Sequence, residues 1–279
     1  MFSLPQPDAS ISEKQNPVID LTENSRTIAA LLSFIYPVVF VATECESLDD
    51  MIDAFVAAKK YDIPAVSQRL LQKFAESKVV QDSPVVAFCA AYSHELGEVA
   101  RVAAKAALKH RMNLNNIDDK LQYINGPAFY HLYKFHRACS ASAAEAVSNA
   151  HLTWTSSRNA WWHLISTMHK ACSCIKFQYT IGPAQSIWNA PLPYRDYITQ
   201  SVDVLLEHPC REAVTNHLFL TPFYYEAQAC APCRITLLGL SDFSHLLGEE
   251  VEKRVAKVRH LLTYLLNTLL NSMVHRRSI

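Results

Sequence analysis

The sequence predicts a mainly α-helical protein: a stack of short helices, then an irregular stretch rich in aromatics and proline, then a long C-terminal helix. Three observations carry this. Only five of the 279 residues are glycine, against a usual share of about 7%. They stand alone at Gly97, Gly126, Gly182, Gly239 and Gly248. None forms a G-x-G-x-x-G turn, a phosphate loop or a G-x-S-x-G elbow, which argues against nucleotide-binding α/β enzymes and α/β hydrolases. The second observation is a repeated cap-plus-proline grammar at helix starts, and the third is an apolar stripe of helical period near the C-terminus.

Taken in order, Val18–Leu21 is the one short strand-like segment near the N-terminus. Ser25 is placed to cap a helix whose apolar face is Ile28, Leu31, Leu32 and Ile35. Pro37 ends it, since proline has no N–H and disfavours a helical residue before it. Ser47 and Asp50 make an S-x-x-D start for a helix burying Leu48, Met51, Ile52, Phe55 and Val56. Pro64 opens the next, through Val66, Leu70 and Phe74, to about Ser77. Ser83-Pro84 repeats the pattern before Val85, Phe88, Cys89 and Tyr92, and an alanine-rich helix follows over Glu98–His110. Gly126-Pro127 introduces another over Phe129–Cys139.

After residue 150 the character changes. All four tryptophans (Trp154, Trp161, Trp162 and Trp188) fall within 35 residues, and Pro191 and Pro193 are expected to block regular helix. So many aromatics argue for a segment packed on the helical body rather than a disordered linker. Val251, Val255, Val258, Leu262, Leu265 and Leu269 then form an a/d stripe. Glu249, Glu250 and Glu252 mark the expected start of that helix, and Arg276 and Arg277 its end. A helix docked on its own domain is the plain reading, and a coiled-coil partner helix the alternative. Four regions result: 1–80, 81–150, 151–200 and 201–279.

Twenty-six basic and 26 acidic residues give a formal net charge of zero, so neither nucleic acid nor membrane is an expected partner. The longest apolar run near the start, Ile28–Thr43, is too short to span a bilayer and contains Pro37. Eight cysteines without a secretory signal or glycosylation sequon predict reduced thiols in the cytoplasm or nucleus.

The cysteines also supply the most specific chemistry. Cys230 and Cys233 have C-x-x-C spacing, and Cys172 and Cys174 form a shorter pair, with His169 nearby as a substitute ligand. Together the four would complete a tetrahedral zinc site. Four ordinary thiols are the default, because 55 residues separate the pairs and nothing requires them to meet. No cofactor is otherwise expected. His94–Glu98 superficially resembles a zinc-hydrolase helix but lacks the second histidine, and reads as a solvated helix end. His131 and His136, on an aromatic helix, and His163 and His169, beside Leu164-Ile165, read as core or surface residues. No oxyanion loop or orienting carboxylate accompanies them, so no catalytic residue is expected.

The ordered set Met1-Phe2, Ile11–Glu13, Val18–Leu21, Leu31-Leu32 with Tyr36-Pro37, and Ala54 with Ala57–Ile63 resembles a BTB/POZ domain. Ala100–Ala104 and Phe135–Cys139 fit the same group, and the closest likeness is to fungal BTB-domain proteins. The resemblance implies a partial BTB/POZ (α+β) domain over 1–80, followed by a BACK-like helical extension over 81–150. It places Met1-Phe2 at the end of the second family helix, so the first half of the domain, with most of its dimer-forming surface, is expected to be missing. A non-enzymatic protein–protein interaction module is implied, acting by self-association or as an adaptor to a cullin ubiquitin-ligase scaffold. Ile11 and Glu13 match the hydrophobic-x-Glu step that docks on the cullin. A zinc-stabilised structural protein, a cysteine-based enzyme in the C-terminal half, and a fragment without independent function are the alternatives.

Overall fold

The computed structural model describes residues 20–36, 47–112, 124–147, 151–152, 154–155, 177–181, 185–235 and 239–258. Helix dominates these residues, as the sequence predicts, and a small three-stranded sheet interrupts the series.

Helix α1 (Ser25–Ile35) is capped by Asn24, whose Oδ1 accepts from Thr27 N at 2.8 Å. The expected cap, Ser25, is instead the first helical residue; asparagine caps equally well and lies one position earlier. Tyr36 is extended (φ −93°, ψ 137°), as a residue before proline must be. Of the Val18–Leu21 strand, Val18 and Ile19 lie outside the described residues, and Asp20 and Leu21 are irregular. Helix α2 (Leu48–Lys60) begins at Ser47, which accepts from Asp50 N at 3.1 Å and donates to Asp50 Oδ2 at 2.6 Å. Asp49 and Asp50 in its first turn and Lys59 and Lys60 in its last complement the helix dipole. Leu48, Met51, Ile52 and Phe55 are buried, but Val56 is 39% exposed. Ala54, Ala57 and Ala58 take the inward positions and let neighbouring backbones approach.

Helix α3 (Pro64–Glu76) buries Val66, Leu70 and Phe74, and Phe74 meets Phe55 edge-on at 5.9 Å. A short α4 (Lys78–Asp82), capped by Ser77, was not signalled by periodicity. Helix α5 (Pro84–Ser93) is buried almost all round from Val86 to Tyr92, the mark of a central helix. It packs on α6 (Gly97–Ala107), whose Ala100, Ala103, Ala104 and Ala107 are fully buried. Helix α7 (Gly126–Ala144), capped by Asn125, runs past the expected end at Cys139.

Strand β1 (His151–Leu152) pairs in parallel with β2 (Phe177–Ile181), which pairs antiparallel with β3 (Ser186–Ala190). Phe177 lies opposite Ala190, and Ile181 opposite Ser186. On β3 Trp188 and Ala190 are buried while Ile187 and Asn189 are exposed, the period-two pattern of a sheet covered on one face. Helix α8 (Leu192–Glu207) starts at the prolines expected to prevent it: Pro191 is its N-cap and Pro193 lies in the first turn. Missing N–H groups cost nothing there. Three further helices follow, α9 (Arg211–Thr215), α10 (His217–Gln228) and α11 (Ala231–Ile235). Helix α12 covers 239–258. It is already helical ten residues before Glu249, so the acidic group expected at its start lies well inside it. Val251 and Val255 are buried, Val258 is partly so, and the rest of the predicted stripe lies outside the described residues.

One continuous core runs from Ala30 on α1 to Val255 on α12. Its aromatic hub is Phe243 of α12, with Trp154, Trp188, Tyr194 and Tyr197 all within 6.1 Å of it, centre to centre. Trp154 and Trp188 therefore pack on the helical body, as the aromatic content implies; Trp161 and Trp162 lie outside the described residues.

Candidate functional site

The end of α5 decides the geometry of a groove on the N-terminal helices. Leu96 N donates to Ala91 O (2.9 Å) and Glu95 N to Tyr92 O (3.1 Å), with Glu95 in the left-handed region at φ 57°. This is a Schellman stop, and it turns the chain directly into α6. The groove lies between this turn, α2 and α3, with a volume of about 310 Å³. Phe55, Leu96 and Val99 are buried in its walls and Leu71 is half-buried; Lys59, Gln68 and Glu98 stand exposed on its rim. Glu95–Glu98 is thus a turn and groove wall, and His94 is the exposed end of α5. An apolar floor inside a polar rim is the make-up of a binding cleft for apolar side chains.

Three polar clusters lie elsewhere. Glu23, just before α1, accepts from Lys60 Nζ at 2.7 Å and from the Tyr61 hydroxyl, and Lys60 also donates to Thr22 Oγ1 at 2.6 Å. The Lys60 and Tyr61 hydrogen bonds hold the Glu23 carboxyl down at about 2. At the end of α6, His136 Nε2 donates to His110 O and His208 Nδ1 to Lys109 O, both at 3.1 Å. Burial pushes the His136 imidazole down to about 4. Ion pairs Lys109–Glu212 (2.8 Å) and Arg111–Glu207 (3.1 Å) flank this seam. Between α8 and α10, burial and a hydrogen bond with Asp196 raise Glu226, while Arg195 lies over the Phe177 ring at 4.3 Å.

Of the predicted site residues, Ile11, Glu13, Cys172 and Cys174 lie outside the described residues, as do His163 and His169. Cys230 and Cys233 fall at the α10–α11 turn, half-buried and buried, forming a small apolar cluster with Ala227. Among the described residues no group of three or more His, Cys, Asp or Glu is arranged to hold a metal ion. No described helix is long and apolar enough to cross a membrane. Burial pushes the Cys89 thiol up to about 12 and the Cys210 thiol up to about 11, the opposite of an activated nucleophile. Sequence reasoning missed the groove because its wall depends on Glu95 adopting a conformation usually signalled by glycine. No family model matches the chain, and neither curated proteins nor solved structures yield a match.

Proposed function

We propose that this chain is a non-enzymatic protein–protein interaction module of BTB type, working in the cytoplasm or nucleus by self-association or as an adaptor to a cullin scaffold. The observation that carries an interaction role is the groove of about 310 Å³ with Phe55, Leu71, Leu96 and Val99 inside and Lys59, Gln68 and Glu98 around it. Such a cleft takes up one or two apolar anchors of a partner, and its rim excludes water around them. The raised thiols of Cys89 and Cys210 make these two cysteines poor nucleophiles. The BTB assignment rests on the ordered sequence segments, and the cullin role on Ile11 and Glu13.

The test is reconstitution. Partners captured with the intact chain are purified and remixed with it, a purified cullin is mixed in parallel, and sedimentation velocity reads complex formation. A complex weakened about tenfold or more by Leu71→Arg, with thermal unfolding little changed, supports the reading. A chain that forms no complex with itself, with cullin or with any purified candidate overturns it.

A further inference from the structure

Helix α7 has an outer face that the groove does not explain. Its 19 residues include no Asp or Glu. Ala128, Leu132, Phe135, His136, Cys139 and Ala143 face the core. Opposite them Tyr130 is 59% and Tyr133 43% exposed, and Lys134 and Arg137 are exposed beside them. The spacing i, i+3, i+4, i+7 puts these four side chains on one stripe about 10 Å long. The Tyr133 ring stacks on Phe129 at 6.3 Å and Tyr130 meets the His131 edge at 5.8 Å, so both aromatics are oriented before anything binds. Lys60, Lys109, Arg111 and Arg254 each have a carboxylate partner. Lys134 and Arg137 form no ion pair with any described residue.

We propose that this face docks an acidic segment of a partner protein that also carries apolar side chains. Tyrosine and arginine are among the residues in which binding energy concentrates, and two cations without an ion-pair partner among the described residues select an acidic partner and speed encounter with it. A nucleic acid fits less well: two cations release few counterions, and the whole chain has no net charge. The proposal rests on the interaction-module reading and adds to it a second surface and the chemistry of its partner.

Phage-displayed random short peptides panned against the intact chain test it. The expected winners are rich in Asp and Glu around aromatic or aliphatic residues. Their synthetic forms bind less tightly at higher salt and lose about tenfold or more in affinity on Lys134→Glu/Arg137→Glu. Tyr130→Ala/Tyr133→Ala gives a comparable loss without added charge. All four positions are exposed, and an unchanged thermal transition confirms that the variants fold. Winners of neutral or basic composition overturn the proposal, as do winners indifferent to both double variants, or a uridine-rich single-stranded RNA that binds more tightly than the best peptide. Winners sensitive only to Leu71→Arg overturn this face and leave the interaction reading standing. An absence of winners counts against both.

Discussion

Asp62 and Glu95 hold backbone conformations that glycine would occupy in most proteins. At φ 53° Asp62 closes α2: its N–H donates to Lys59 O (3.2 Å) and that of Ile63 to Ala58 O (2.9 Å). Aspartate tolerates this region better than most residues but keeps a Cβ penalty. Asp62→Gly is expected to stabilise the protein by about 0.5 kcal/mol, the relieved strain exceeding the added freedom of the unfolded chain; equilibrium urea unfolding reads it as a higher midpoint at constant slope. His136 sets a dependence on pH. Its imidazole falls from the ordinary 6.5 to about 4 in the fold, so between those values the unfolded chain binds a proton that the native state refuses. The stabilisation is complete above pH 6.5 and is lost as pH falls toward 4, by about 2–3 kcal/mol. Burial dominates the cost of charging it, the His208 and Arg137 charges add to that cost, and the hydrogen bond to His110 O offsets it only in part. His136→Gln keeps a donor near His110 O, so the variant should be less stable at pH 7 with a flatter slope between pH 6.5 and 4. An unchanged slope would place the acid sensitivity elsewhere, for instance at Glu23, whose contribution is lost only as pH falls from 4.5 toward 2.

At the scale of elements, close approach is governed by small residues. Helix α9 crosses α12 at Gly248, where an added Cβ would lie 2.6 Å from Arg211 Cγ and 3.1 Å from Thr215 Cγ2. Gly248→Ala should therefore destabilise by about 1–2 kcal/mol, overpacking outweighing the better helix propensity of alanine. Gly97→Ala, with nothing within 4 Å, should be neutral or slightly stabilising in the same urea titration. A stabilised Gly248→Ala would mean that Arg211 swings clear of its ion pair with Glu252. The same local chemistry explains what could be read in advance. Ser47–Asp50, Pro64, Ser83-Pro84 and Gly126-Pro127 all lie at helix starts, because caps and first-turn prolines act within four residues. Helix α4 spans fewer than two turns, too short for a periodic pattern, and α8 was concealed by prolines that mark a helix start as readily as a break. The parallel β1–β2 pair was missed because β1 is two residues long and gains its partner 29 positions away, at Thr180. The groove, too, needs α2, α3 and the α5–α6 turn to converge, which no local spacing encodes.

For the whole molecule, the question is whether the N-terminal helices and the aromatic C-terminal half are one cooperative unit. Helix α7 contacts both α5 and α8. The end of α6 is bonded to His136 and His208, with Lys109–Glu212 and Arg111–Glu207 across the same seam. Its exposed ion pairs add little; the continuous core from Ala30 to Val255 is the stronger tie, because exposing either side strands apolar surface on the other. The tryptophans offer a direct reading. All four lie between residues 154 and 188, so their fluorescence follows only the C-terminal half, whereas far-ultraviolet circular dichroism follows every helix. The two signals should give coincident urea transitions. Phe135→Leu, at a fully buried position on α7, should lower both midpoints together by an amount equivalent to about 1–2 kcal/mol. If the dichroism transition splits and fluorescence follows only one phase, the seam is a domain boundary. The groove of the N-terminal helices would then work independently of the aromatic half, and binding to it would stabilise only that first unit.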